Sequence, residues 1–179
     1  RNLGIARDRA RFLKRMLEDT KKFVDDPQYE SEDVELAELL DKVVGLVSDA
    51  LDIPGVRLDT QLDTRPGTRV HVPRGRLLQA LSSLVKNAVE ACEGDGTVAI
   101  RCTHHRRGQV RIEIVDDGYG MAPEEIDRAL LPLVSTKKDD QHTGVGLPLA
   151  RKIIKRECRG GFDIRSEPDR GTTVICLLP

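Results

Sequence analysis

The sequence has no tryptophan, and only 3% of its 179 residues are aromatic. Its core must therefore be aliphatic, and stacking of nucleic-acid bases on an aromatic platform is not expected. An excess of one charge is missing too: 29 Lys and Arg stand against 30 Asp and Glu, a formal net charge of −1. Without a basic surplus there is no electrostatic case for general nucleic-acid binding. No apolar run approaches membrane-spanning length and no stretch reads as a secretory leader, so this segment is expected to make no membrane contact. The four cysteines, Cys92, Cys102, Cys158 and Cys176, show no C-x-x-C spacing. Zinc is therefore not expected, and scattered thiols fit a reducing, cytoplasmic setting in which they act as small hydrophobes. Internal repeats and low-complexity segments are lacking as well.

What is present is length for one sizeable domain, or a domain with a helical appendage, and an apolar share of 39%, enough for a core. A start at Arg1 rather than Met points to a piece of something longer. The organising stretch is Ile114-Val115-Asp116-Asp117-Gly118-Tyr119-Gly120-Met121. Strand residues run into an acidic pair and then into glycines at every second position. That pattern sets an acceptor-only group at the end of a strand and lets backbone approach a flat ligand. A second glycine cluster, His142-Thr143-Gly144-Val145-Gly146-Leu147, opens an amphipathic helix, where free N–H groups and the dipole favour a phosphate. A place for a base and a place for phosphates together point to a nucleotide pocket.

The remainder reads as its support. Leu3, Ala6, Ala10, Leu13, Leu17, Thr20 and Val24 step by threes and fours. They predict a helix that packs either on its own domain or, as heptad spacing favours, in a bundle or dimer. Asp25-Asp26-Pro27 stops it. Short strands are expected over 33–36, 56–62 and 70–72, and a helix over 37–51. A second helix is expected over 73–92, with Leu77, Leu78, Leu81, Leu84, Val85, Ala88 and Cys92 on one side. Arg76, Gln79, Ser83, Asn87 and Glu90 share another side. Asparagine is a poor interior helix former, so Asn87 is either an exposed polar position or an amide oxygen offered to a hard cation, and the second reading is favoured. A hairpin follows over 97–103 and 109–115, with His104 and His105 solvated at its tip; His71 is expected on the surface of its strand. A short helix is expected to about residue 131. Residues 132–143 carry little regular patterning, which fits disorder or a lid, and their position between the two glycine clusters favours a lid. A helix over 147–158, capped by Gly160-Gly161, and strands over 162–166 and 172–178 complete the chain.

Singly these signals are weak; their order and spacing are not. Asn87 in Leu84-Val85-Lys86-Asn87-Ala88, Asp116-x-Gly118-x-Gly120, Ser135-Thr136-Lys137, Gly144-x-Gly146-Leu147 and Gly171-Thr172-Thr173 follow one another along the chain. With these motifs residues 33–179 resemble the ATP-binding catalytic domain of sensor histidine kinases, in the superfamily shared with gyrase B, Hsp90 and MutL. Residues 1–28 resemble the second helix of the kinase dimerisation hairpin. The resemblance implies an α/β two-layer sandwich of Bergerat type, with a mixed sheet of about five strands, helices on one face and ATP between the helices and a lid. It gives Asp116 the adenine 6-amino group, with Thr172 beside it sharing a water. A carboxylate there would repel the oxygen of guanine. Gly118 and Gly120 would leave room for the purine. Asn87 would ligate Mg²⁺, which keeps waters and phosphates as its other ligands, and Glu90 would hold a metal-bound water or touch the nucleotide. Lys86 and Lys137 would neutralise phosphate charge during transfer. Gly144, Val145, Gly146 and Leu147 would present N–H groups to the phosphates, and Met121 and Thr136 complete the nucleotide-binding set.

The departures bear on function. ATP-hydrolysing members carry a glutamate one turn before the metal asparagine; here that position is Ser83, which offers no basic carboxylate to activate water. Histidine kinases usually have asparagine there. The lid stretch Leu130-Leu131-Pro132-Leu133 lacks the usual phenylalanines. None of His71, His104, His105 or His142 has the acidic neighbour of a phosphorylated histidine. The expected function is Mg-ATP binding and transfer of the γ-phosphate to a histidine on a hairpin outside this chain, for relay to a response regulator. The resemblance also implies a homodimer through the N-terminal helix of the full-length protein. A non-catalytic ATP-sensing module and an ATP-hydrolysing clamp are the alternatives.

Overall fold

A computed structural model describes residues 14, 29–50, 55–132, 134 and 144–179. The expected N-terminal helix lies outside the described residues save Lys14, as do Thr136, Lys137 and His142. Among the described residues seven strands form: β1 (Glu32–Glu35), β2 (Val56–Asp63), β3 (Arg69–Val72), β4 (Gly96–His104), β5 (Val110–Asp116), β6 (Gly161–Ser166) and β7 (Thr172–Leu178). β1 and β3 pair as a separate antiparallel ribbon, and the other five make one sheet in the order β2-β4-β5-β7-β6. Only the β2–β4 pair is parallel.

The alternation of β5 shows why the sheet has two unlike faces. Val110, Ile112 and Ile114 are buried while Arg111, Glu113 and Val115 are partly exposed, the period of two that a half-covered strand requires. Register partners share a face, so Cys102, Ile112, Cys176 and Phe162 form one row across the sheet, and Ile100, Ile114, Val174 and Ile164 the next. These rows belong to the same core cluster as Leu39, Leu40 and Val43 of α1 (Leu36–Ala50) and Leu77, Leu81 and Leu84 of α2 (Arg74–Ala91). Helices thus cover one face, and the two-layer sandwich is what forms. All four cysteines are free and buried in this layer. Among the described residues no helix is long and apolar enough to cross a membrane.

α3 (Pro123–Ala129) is short, and α4 (Gly146–Lys152) runs on into a π-helical turn, Ile153–Glu157. Periodicity predicts one regular helix over 147–158; the structure instead widens its last turn, with the Cys158 N–H donating to Ile153 O at 2.9 Å. The cap differs as well. The left-handed residue is Arg159 (φ 53°) rather than a glycine. Gly160 is needed for another reason: a Cβ there would lie 2.3 Å from Leu177 O of β7. Arg76 also departs from its expected polar face. It is buried, with its guanidinium donating to both Glu157 oxygens at 2.6 and 2.8 Å and lying 4.6 Å from the Tyr29 ring. The pair joins the start of α2 to the end of the π turn.

Candidate nucleotide site

The apolar rows of the inner face stop at one end of the sheet. The next row is Val98, Asp116, Thr172 and Ser166, so three adjacent strands turn polar together where β5 ends. Asp116 is 6% exposed and Thr172 8%. Asp116 Oδ1 accepts the N–H groups of Gly118 at 3.1 Å and Thr172 at 3.0 Å, and this fixes the carboxylate in the row. Thr172 therefore stands beside Asp116, as the motifs imply. The second acid points elsewhere: Asp117 Oδ1 accepts from Thr97 N at 2.8 Å, tying the exit of β5 to the start of β4.

The motifs assign Gly118 and Gly120 the task of leaving room for a base. The structure fills the space of their missing side chains with its own backbone. A Cβ on Gly118 would lie 2.4 Å from Ala91 O, and the next residue, Tyr119, donates its N–H to that oxygen at 3.2 Å. Gly120 (φ +65°) would meet Glu167 O at 2.0 Å, while Asp169 N donates to Tyr119 O at 2.8 Å. The glycines let the loop after β5 lie flat between the end of α2 and the β6–β7 turn. Met121 follows, its N–H donating to Ser166 Oγ at 2.8 Å. The Tyr119 phenol is pushed above its ordinary pKa, first by burial and then by the carboxylates of Glu93, Asp116, Glu90 and Glu125. The Tyr119 phenol is thus set among carboxylates.

The second glycine cluster sits on the same helix. A Cβ on Gly146 would lie 2.8 Å from Ser83 Oγ, 3.9 Å from Asn87 Nδ2 and 4.0 Å from Asn87 Oδ1. The start of α4 thereby lies against the Ser83 and Asn87 side of α2, and a side chain at 146 would have to displace the Ser83 hydroxyl. Gly144 (φ +65°) closes against Val134, whose backbone a Cβ would approach to 2.6 Å, and Val145 is buried. Glu90 holds Lys86 at 3.7 Å across one turn; the Glu90 side chain is 14% exposed and that of Lys86 52%. Ala91 and Asn87 are four residues apart, about 6 Å of helical rise. So α2 touches the loop after β5 at its end and lies beside the start of α4 one turn earlier.

Asn87, Glu90, Lys86 and Gly144 to Leu147 are brought together along α2 and α4, and Asp116, Gly118, Gly120, Met121 and Thr172 at the end of the sheet. Ser166 and Asp117 take part without having been marked by sequence patterning. Ser166 had a readable signal: the tight turn through Pro168-Asp169-Arg170-Gly171 sets it opposite Thr172. A buried acceptor beside a hydroxyl, and a helix that starts at a glycine beside an amide, make a donor and acceptor set that fits a nucleotide.

Comparison with known proteins agrees. The chain is 28% identical to the sensor histidine kinase ZraS of Klebsiella oxytoca over 178 residues, 99% of this chain and 37% of that protein; it thus spans little more than a third of this curated relative. The catalytic domain of histidine kinase ThkA, nucleotide-free, has the same fold, with a TM-score of 0.73 and 28% identity over 84% of this chain and 95% of that one. ThkA solved in complex with the response regulator TrrA is alike in fold, with a TM-score of 0.80 and 22% identity over 99% of this chain and 50% of that one. Residues 73–179, more than half the chain and including Asn87, Asp116, both glycine clusters and Thr172, match an ATP-binding family, and the chain belongs to it: the histidine kinase-, DNA gyrase B- and HSP90-like ATPases.

Proposed function

We propose that this chain is the catalytic domain of a sensor histidine kinase, binding Mg-ATP and delivering the γ-phosphate to a histidine on a hairpin outside residues 1–179. The observation that carries it is α2 placed between the two glycine clusters: Ala91 O accepts from the loop after Asp116, and Asn87 stands beside Gly146, within 4.0 Å of where its Cβ would be. In this reading Asp116 accepts from the adenine amino group, with Thr172 beside it sharing a water, and the amide oxygen of Asn87 would hold magnesium, with Glu90 on a metal-bound water or on the nucleotide. Gly144, Val145, Gly146 and Leu147 would present N–H groups to the phosphates, Lys86 and Lys137 would neutralise phosphate charge, and Thr136 would bind nucleotide. Magnesium would neutralise phosphate charge as the γ-phosphoryl leaves.

Transfer rather than hydrolysis is supported by Ser83. The position one turn before Asn87 carries a hydroxyl, and a hydroxyl is no general base for water at neutral pH. The likeness to ZraS supports a sensor histidine kinase, and the ThkA complex supports a response regulator as the partner. The full-length protein would act as a homodimer through its N-terminal helix, with this domain in the cytoplasm. Mixing the chain with a separate histidine-bearing hairpin and γ-labelled ATP tests the proposal: label should move to the hairpin. Steady phosphate release without acceptor would mean a clamp instead, and binding without either would mean a sensing module.

A further inference from the structure

Ser166 closes β6 and is the outermost member of the polar row. Its hydroxyl has three polar neighbours but only one hydrogen to give. Met121 N donates to Ser166 Oγ at 2.8 Å, Gly171 O lies 3.0 Å away, and Thr172 Oγ1 lies 2.8 Å away. A carbonyl oxygen can only accept, so the Ser166 hydrogen goes to Gly171 O. The contact with Thr172 then requires a hydrogen from Thr172. This arrangement is the one that satisfies all three contacts. It spends the only hydrogen of Thr172 on Ser166 and leaves Thr172 Oγ1 as an acceptor, next to a carboxylate that is itself acceptor-only.

We propose that Ser166 is a positioning residue for base recognition: by holding the Thr172 hydroxyl as an acceptor, it sets the preference of the site for a 6-amino over a 6-oxo purine nucleotide. The inference rests on the nucleotide reading above and deepens it. A hydroxyl that rotates freely can donate to a 6-oxo group as readily as it accepts from a 6-amino group. A hydroxyl locked by Ser166 cannot, and the 6-oxo base then faces acceptors alone.

The test is equilibrium binding of ADP and inosine diphosphate, its 6-oxo counterpart, to the 179-residue chain and its variants. The wild-type chain should prefer ADP. Ser166→Ala should reduce that preference about tenfold, the worth of one hydrogen bond of about 1.4 kcal/mol. Ser166→Thr, which keeps the hydroxyl, should restore it, and Ser166→Cys, of similar size but a weak donor and acceptor, should fall between. In a Thr172→Val background, removing the serine should change the preference no further. Equal losses for both nucleotides in Ser166→Ala, an unchanged preference, or additive effects with Thr172→Val would overturn the role of Ser166. A wild-type chain that binds neither nucleotide would instead overturn the nucleotide reading itself, and would do so before any variant is made.

Discussion

At the scale of single residues, Asn87 and Asp116 are legible because their residue types are out of place. An amide inside a helix and a carboxylate at the end of an apolar strand both need a reason, and the structure sets Asn87 on α2, whose last residue, Ala91, accepts from the loop that follows Asp116. Replacing Asn87 by Ala should remove the part of ATP affinity that depends on magnesium and leave binding in EDTA unchanged; titration with and without the metal reads this. Equal losses in both conditions would argue against a metal ligand. Asp116→Asn should weaken ADP by about 1–3 kcal/mol, the range for a hydrogen bond to a charged group, measured by calorimetric titration. Gly120 is legible as a glycine but not for its cause, since its neighbour Glu167 is far along the chain, in the β6–β7 turn. Two left-handed glycines separate the causes. At Gly67 (φ +75°) an added Cβ would meet nothing within 4 Å, whereas at Gly120 (φ +65°) it would lie 2.0 Å from Glu167 O. Gly67→Ala should cost about 1–2 kcal/mol, the backbone term alone, and Gly120→Ala clearly more; equal urea midpoints would refute the packing role.

At the scale of elements, most strands and helices follow from periodicity, because a half-buried strand or helix must repeat its apolar residues at the period of its backbone. What periodicity does not carry is a contact between elements. On the helical projection Arg76 falls on the polar side of α2, yet the structure buries it against Glu157, which lies 81 residues further on, in the π turn after α4. The extra residue in that turn is invisible to a helical repeat, and so is the partner it presents. Removing one side of a buried ion pair leaves the other charge uncompensated, which costs about 3–5 kcal/mol, whereas replacing both sides with apolar groups is often nearly neutral. Arg76→Met should therefore lower stability by that amount, and Arg76→Met with Glu157→Leu should recover most of it. Urea unfolding of the single and double variants gives the coupling; additive losses would mean that the pair is not a unit. Because α2 carries Asn87 and the π turn continues the helix that begins at Gly146, the same pair braces α2 against that helix.

At the scale of the whole molecule, the near-absence of aromatics does foretell an aliphatic core, and the mixed sheet of five strands under helices is what the motif order implies. Strand order is not legible from periodicity, since β2 and β6 alternate alike whichever neighbour they take. The core also holds all four thiols, and they give it a pH limit. Burial is the leading cause for each: Cys92 and Cys102 are pushed up to about 11, and Cys158 and Cys176 up to about 12. An unfolded thiol titrates near 8.5. Below that value both states keep the proton and the thiols add no pH dependence. Above it the unfolded chain releases protons that the folded chain retains, so stability falls as pH rises toward the folded values, by up to about 1.4 kcal/mol per pH unit for each thiol. Cys176 is fully buried in the row with Cys102 and Ile112. Cys176→Ala should be less stable at neutral pH because of the space it leaves, yet its stability should fall less steeply between about pH 9 and 10.5 than that of the parent, by one thiol's share. Urea unfolding across that range reads the slope directly, and parallel lines for parent and variant would show that the thiol carries no protonation linkage.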